Sequence, residues 1–342
     1  MKICYILNRS IVSGPNIVAI GNLEKLYELG EDIHIIFLKG DSSIENNYPF
    51  LKKINVTYIN KSLLKSIFFV RKMVTDNGYD IIHSHCFFPD LVNSLSGVHN
   101  TKVSTIHNIP HEDYLIRYGK IKGLILLRLH MLILYGMNAN ICISHVVKNS
   151  LPSGLRKEVI YNPVRDWFVS GAKKSKYTIV YCGHFSELKN PVSIINALKI
   201  VDLDFDFIAL GDGKMLDSCK NLVNNDSRFS FMGRVDNVHD YFETSHCLIH
   251  FSKTEGFCLS AVEALVSDMY VITNDLPVFS EISSLLPEKR IHILNNASSL
   301  YECLASLIKH YEPGEYTSTV KSMFSEKSSA RKHLELYKIL AE

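Results

Sequence analysis

The stretch Cys247-Leu-Ile-His-Phe-Ser-Lys-Thr-Glu255-Gly256-Phe257-Cys258-Leu259-Ser-Ala-Val-Glu263-Ala264-Leu-Val-Ser-Asp-Met-Tyr270-Val-Ile-Thr273 decides the fold. Cys247 to Phe251 is a short apolar run that suits a buried strand, residues 259 to 266 have helical spacing, and Tyr270 to Thr273 is β-branched again. The unit is strand, loop, helix, strand, of the parallel kind. Ser252 to Cys258 forms the loop at the first strand's carboxyl end, where open α/β sheets bind ligands. Glu255 lies in that loop and Glu263 about two turns further on, in the helix. The amides of Phe257, Cys258 and Leu259 fall at the helix N-terminus, where unpaired N–H groups and the macrodipole favour an anion.

With small and apolar residues between them, Ala264 after the second and a strand on each side, the two glutamates resemble the Glu-x7-Glu signature of retaining glycosyltransferases of family 4 (glycosyl transferases group 1). The resemblance implies the α/β GT-B fold, two Rossmann-like parallel-sheet domains facing a cleft, with a C-terminal helix crossing back to the first domain. It implies that Glu255 approaches the donor sugar, that Glu263 holds the nucleotide ribose, and that Gly256, Phe257, Cys258 and Leu259 lie against the donor.

Working outward, 342 residues exceed one ordinary core and suggest two domains. A 46% hydrophobic and 21% charged composition is that of a folded globular enzyme. A net charge of +2 argues against a dedicated nucleic-acid binder. None of the eight Cys forms a Cys-x-x-Cys pair and several sit in apolar runs, which reads as free thiols in a reducing compartment. The N-terminal run is too short for a signal peptide and no segment has the ~20 apolar residues of a membrane span, so a cytoplasmic location is expected.

The chain opens with a βαβ pattern: strand Ile3–Leu7, a loop from Asn8 to Asn16 carrying Gly14-Pro15, a helix from Ile17 to Leu29, and strand Ile33–Leu38. The family has a Gly-Gly pair in this loop; Gly14 is present and Pro15 takes the second place. Strands at Val56–Ile59 and Asp80–Ser84 flank a helix near Leu63–Thr75. His83 and His85 alternate on the second of these, so one of them is a candidate for core packing. Lys102 to His107 is the next strand, and its Thr-x-His end resembles the family segment whose imidazole stands beside the donor sugar, which makes His107 the N-terminal site candidate. Tyr114 to Tyr135 reads as one long helix, Ile141 to Ser144 as a strand, and Arg165 to Lys176 as the interdomain linker. The expected domains are 1–164, 165–325 and a returning helix, 326–342.

The second domain opens with strand Thr178–Cys182 and Gly183-His184-Phe185-Ser186-Glu187-Leu188-Lys189-Asn190-Pro191. This resembles the family's Gly-Arg…Lys-Asn element, which contacts the donor diphosphate; Lys189 is retained and His184 stands in the Arg position. A flexible ammonium just before a helix suits a diphosphate leaving group. Gly211-Asp212-Gly213 resembles the family's turn by the nucleotide, and Arg234-Val235 the backbone near the base. Asp268-Met269-Tyr270 replaces the usual Gly-x-Pro after the signature helix.

Taken together, the resemblance implies a retaining transfer of a hexose-type sugar from a nucleotide-diphosphate donor to a glycan or lipid-linked glycan, in surface polysaccharide synthesis. Catalysis would be positioning plus electrostatics, by His107, Lys189 and Glu255. No Asp-x-Asp triplet occurs, so neither an obligatory metal nor a cofactor is expected. A sugar-nucleotide 2-epimerase and a non-catalytic partner that keeps the fold are the alternatives. At ~100° per residue, Arg117, Lys120, Leu124, Arg128, Met131 and Tyr135 fall in one stripe of the long helix, with the other faces expected to pack on the first domain. Through Arg117, Lys120 and Arg128 that stripe is expected to contact an anionic membrane surface.

Overall fold

Thirteen parallel strands form two separate sheets among the described residues, which are 1–97, 101–165, 173–224, 226–295, 299–312 and 317–342 of the computed structural model. In chain order the first half contains β1 (Lys2–Arg9), α1 (Gly14–Glu28), β2 (Asp32–Lys39), β3 (Asn55–Tyr58), α2 (Leu63–Asn77), β4 (Ile81–His85), α3 (Phe87–Leu95), β5 (Thr101–Ile106), α4 (Pro110–Tyr118), α5 (Lys120–Tyr135), β6 (Ala139–Cys142), α6 (His145–Ser150) and β7 (Lys157–Val159). The second half contains β8 (Thr178–Cys182), α7 (Pro191–Lys199), β9 (Asp206–Leu210), α8 (Leu216–Leu222), β10 (Phe229–Gly233), α9 (Val238–Thr244), β11 (Cys247–His250), α10 (Leu259–Val266), β12 (Tyr270–Asn274), α11 (Pro277–Ser284), β13 (Ile291–Leu294), α12 (Ser299–Lys309), α13 (Thr317–Phe324) and α14 (Glu326–Ala341). Two compact units result, Met1–Pro163 with Phe324–Glu342, and Val164–Met323. The linker expected at Arg165–Lys176 falls mostly outside the described residues.

The first sheet has the order β3-β2-β1-β4-β5-β6-β7. Its inner strands β2, β1, β4, β5 and β6 are buried on both faces, whereas the edge strands β3 and β7 are not. Ile3, Tyr5 and Leu7 join one core with residues of α1 and α14, while Cys4 and Ile6 join the opposite core with Val70 and Val74 of α2 and Val92 of α3. The last helix therefore belongs to the first unit: Tyr337 lies in the same core as Tyr5, their hydroxyls 2.8 Å apart. On the opposite face α2 packs on α3 and α3 on α5, so these helices form one layer.

Two expectations fail here for identifiable reasons. Gly14 is not in a loop but is the first residue of α1, with Pro15 in the first turn, where a missing N–H leaves no bond unmade. The helix expected over Tyr114–Tyr135 is two, broken at Gly119 with φ +74. α5 then folds back on α4 so closely that a Cβ on Gly123 would lie 2.7 Å from the Tyr114 carbonyl oxygen. Arg117 consequently sits on α4, ion-paired with Asp113 at 2.7 Å, away from the helix that carries Lys120 and Arg128. The faces of α5 expected to pack do so only in part. Gly123, His130, Ile133 and Leu134 are buried, but Ile121 (77%), Ile125 (61%) and Leu132 (70%) are exposed.

The second sheet has the order β10-β9-β8-β11-β12-β13. Strand order reverses between β8 and β11, which sets the loops after those two strands side by side, at the switch point where such sheets bind ligands. The turn that replaces Gly-x-Pro closes through Asp268 at φ +56, with the Met269 amide bonded to the Ala264 carbonyl at 3.0 Å and the Met269 side chain fully buried.

Candidate active site

The loop after β11 is turned inward by its apolar anchor. Phe257 is 1% exposed, and Cys258, at φ +65, makes the left-handed turn that starts α10. Glu255 is thereby buried with its carboxylate among donors. Oε1 accepts from Lys189 Nζ at 2.5 Å, His250 Nε2 at 2.7 Å and Ser252 Oγ at 2.8 Å. Burial penalises this charge, but Lys189 and His250 outweigh it and hold the carboxyl well below the usual carboxylate range. Burial also opposes the charge on His250, yet Cys258 and Glu255 raise its pKa to about 9. The Lys189 ammonium thus stands fixed on Glu255 at the strand end, a cation of the sign a diphosphate requires.

Glu263 lies on α10 and is partly buried. Burial pushes its pKa up to about 7, and Arg165 pulls against that rise. Cys182, at the end of β8, is raised by burial and feels Glu263, Cys258 and Lys189, which places all three around that strand end.

The loop after β8 brings Lys189 to Glu255 and also meets the loop after β9. A Cβ on Gly211, at φ +130, would lie 2.0 Å from the Gly183 carbonyl oxygen; on Gly213 it would lie 2.5 Å from that of Phe185. These glycines allow two backbones to touch. His184 is exposed and pairs with Asp212 at 3.2 Å, so it flanks this contact and does not join the Glu255 cluster. Arg234 is exposed in the turn after β10, and Gly256 and Leu259 complete the loop and helix start around Glu255.

His250, Glu255 and Cys258 have donor atoms within 4.8 Å of one another, the one group of metal-ligand spacing among the described residues. The Lys189 ammonium on Glu255 opposes a cation there.

In the first unit, His107 is half-buried at the end of β5, and burial lowers its pKa to about 3. Its Nε2 lies 2.8 Å from His85 Nδ1, with the rings stacked at 5.1 Å. His83 stacks on His85 at 4.6 Å and is bonded through Nδ1 to Tyr337 at 2.5 Å and through Nε2 to Thr105 at 2.7 Å. Both β4 histidines are therefore internal, and His85 is the one that orients His107. Gly14 is in the same unit, at the start of α1. Sequence reasoning missed His250 and Ser252, and it named His85 without placing it beside His107. A polar His at the end of an apolar strand, five positions before Glu255, was the available signal for the first of them.

A family model for glycosyl transferases group 1 matches residues 165–317, and one for glycosyltransferase family 4 matches residues 12–167. The chain is similar to an uncharacterized glycosyltransferase of Methanocaldococcus jannaschii, 29% identical over 91% of this chain and 90% of that one. It is also similar to an O-antigen biosynthesis glycosyltransferase of Escherichia coli, 27% identical over 82% of each. Among solved structures it resembles sucrose-phosphate synthase of Thermosynechococcus elongatus, with TM-score 0.81 at 14% identity over 99% of both chains. It resembles Anabaena HepE in complex with UDP and glucose, with TM-score 0.80 at 15% identity over 99% of both. At these identities the likeness is one of fold, GT-B.

Proposed function

Since the chain belongs to the glycosyl transferases group 1, we propose that it transfers a hexose-type sugar, with retention of configuration, from a nucleotide-diphosphate donor to a glycan or lipid-linked glycan during surface polysaccharide assembly. The observation that carries this reading is the hydrogen-bonded cluster of Lys189, Glu255 and His250 beside the N-terminus of α10. Bond breaking at the anomeric carbon leaves charge on the diphosphate, and a fixed cation plus the dipole of a helix N-terminus lower that barrier without any further reorganisation. In this reading Lys189 takes the leaving group, Glu255 orients the sugar, His107 contacts it, and Glu263 holds the ribose. His184, Gly211 and Arg234 line the nucleotide, with Gly14 assigned to the donor phosphates. His250 keeps Glu255 ionised, a role the resemblance did not supply. No metal is required, because Lys189 supplies the charge that a divalent ion would otherwise bring. The wider reading includes the O-antigen relative's process and an acceptor carried on lipid, met at the inner membrane face.

The test is a donor panel of UDP-, GDP- and ADP-hexoses incubated with and without bacterial glycolipid extracts, followed by NMR of the products. Acceptor-dependent transfer giving the donor's anomeric configuration is expected. Donor isomerised without acceptor would replace the reading with the epimerase, and no turnover of any donor would leave a non-catalytic GT-B protein.

A further inference from the structure

The helix layer formed by α2, α3 and α5 has an outward face that the glycosyl-transfer reading does not use. Of the 19 large hydrophobic residues exposed among the described residues, 12 fall between Leu63 and Tyr135. On α5 they lie on one side: Ile121, Ile125, Leu129, Leu132 and Tyr135, with Arg128, span an arc of ~120° at helical spacing. That arc is turned by about 80° from the stripe expected from sequence. The reason is that α5 packs through Gly123, His130, Ile133 and Leu134, which points Ile121 and Ile125 outward. On α2, Leu64 and Phe68 are 70% and 71% exposed, and Phe68 shares a shallow recess with Lys61, Lys65, Phe69 and Lys72. The Lys61 ammonium lies 4.4 Å from the centre of the Phe69 ring.

Charge identifies what this face meets. α5 carries no acidic residue and α2 only Asp76, in its last turn, while Lys65, Arg71 and Lys72 on α2, Lys61 just before it, and Lys120, Lys122 and Arg128 on α5 are all exposed, in a chain whose net charge is only +2. A protein partner or a second copy would need acidic groups to match; a nucleic acid would not reward a row of exposed Ile and Leu. An anionic lipid surface rewards both features, through apolar insertion at the acyl boundary and cations held at the phosphates. No helix among the described residues is long and apolar enough to cross a membrane, so contact is with the surface.

We infer that the outward face of α2 and α5 docks on an anionic phospholipid bilayer, with Ile121, Ile125, Leu129 and Leu132 at the apolar boundary and Lys65 and Lys72 on headgroup phosphates. The inference gives a place to the lipid-linked acceptor of the reading above, but its test needs no enzyme assay. Flotation is measured with vesicles of equimolar phosphatidylglycerol and phosphatidylcholine, and with phosphatidylcholine alone, at low and high salt. Wild type is expected to float with the anionic vesicles at low salt only. The double variants Ile125→Glu/Leu132→Glu and Lys65→Glu/Lys72→Glu should each lower the bound fraction by about tenfold, with unchanged melting temperatures. All these positions are exposed, and the two variants sit on different helices, so a folding defect in one leaves the other informative. The inference is overturned if wild type stays unbound, if it floats equally with neutral vesicles at high salt, or if both variants float like wild type. It is also overturned if gel filtration shows a dimer that Ile125→Glu/Leu132→Glu converts to monomer, since a second copy would then cover α5.

Discussion

Lys189 and Glu255, 66 residues apart in sequence, meet at 2.5 Å, and the ammonium keeps the carboxylate ionised against the penalty of its burial. Each residue needs the other. Without Lys189 the buried carboxylate would keep only His250 against its desolvation, and a diphosphate arriving at Lys189 would compete with Glu255 for the same charge.

Lys189→Ala should therefore lose turnover more than donor affinity, because diphosphate charge grows as the bond breaks. A cost of ~2–4 kcal/mol, or roughly thirty- to a thousand-fold in kcat, is expected. Combining it with Glu255→Gln should cost less than the two single losses together, since both act through one contact. Additive losses in a double-mutant cycle would sink the coupling.

Glu263 should respond to pH in two ways. Its folded pKa of about 7 lies above the ordinary 4.5, so its contribution to stability is present below the unfolded value and is lost as pH rises through 7. Glu263→Gln should thus raise thermal stability at pH 8, by an amount on the order of 2 kcal/mol, and do little at pH 4. Ribose hydroxyls donate to the ionised form, so calorimetric affinity for free nucleotide should fall below pH 7 in wild type and lose that dependence in Glu263→Gln. Glu255→Ala should spare this binding and damage transfer.

The first unit should be the acid-sensitive one. Burial holds His83, His85, His107 and His333 below the ordinary 6.5, the last two at about 3 and about 4. Stability that depends on neutral imidazoles is present above 6.5 and is lost as pH falls toward those values, by up to ~1.4 kcal/mol per pH unit for each His. Hydrogen exchange at pH 5 should show β4 and β5 opening before β8, β11 and β12. The opposite order would exclude the histidine stack as the cause.

Gly211→Ala should destabilise the second unit by more than ~2 kcal/mol, because the added Cβ meets the Gly183 carbonyl at 2.0 Å and φ is +130. A variant that melts like wild type would show that the two loops separate freely.

Chelation should leave the rate unchanged. Strong inhibition by EDTA, reversed by Mn²⁺, would assign the metal-ligand geometry of His250, Glu255 and Cys258 a catalytic ion and displace Lys189 from its proposed part.

Much of this was legible in the chain itself. The apolar runs at Ile3–Leu7, Thr178–Cys182 and Cys247–Phe251, alternating with helical spacing, are what strands buried on both faces must look like, so the parallel sheets follow from composition and period. Glu255, Glu263 and Lys189 stood out because the segments around them resemble the family's Glu-x7-Glu and Lys-Asn elements. What the sequence could not carry was pairing across distance and the direction each helix faces. That His250 and Lys189 share one carboxylate oxygen, and that His85 steadies His107, depends on which strand ends the sheet order sets together. That α5 turns Ile121 and Ile125 outward depends on Gly119 breaking the helix and Gly123 allowing α4 so close. Periodicity defines a stripe on a helix; only the packing of its neighbours decides which stripe water, or a lipid, meets.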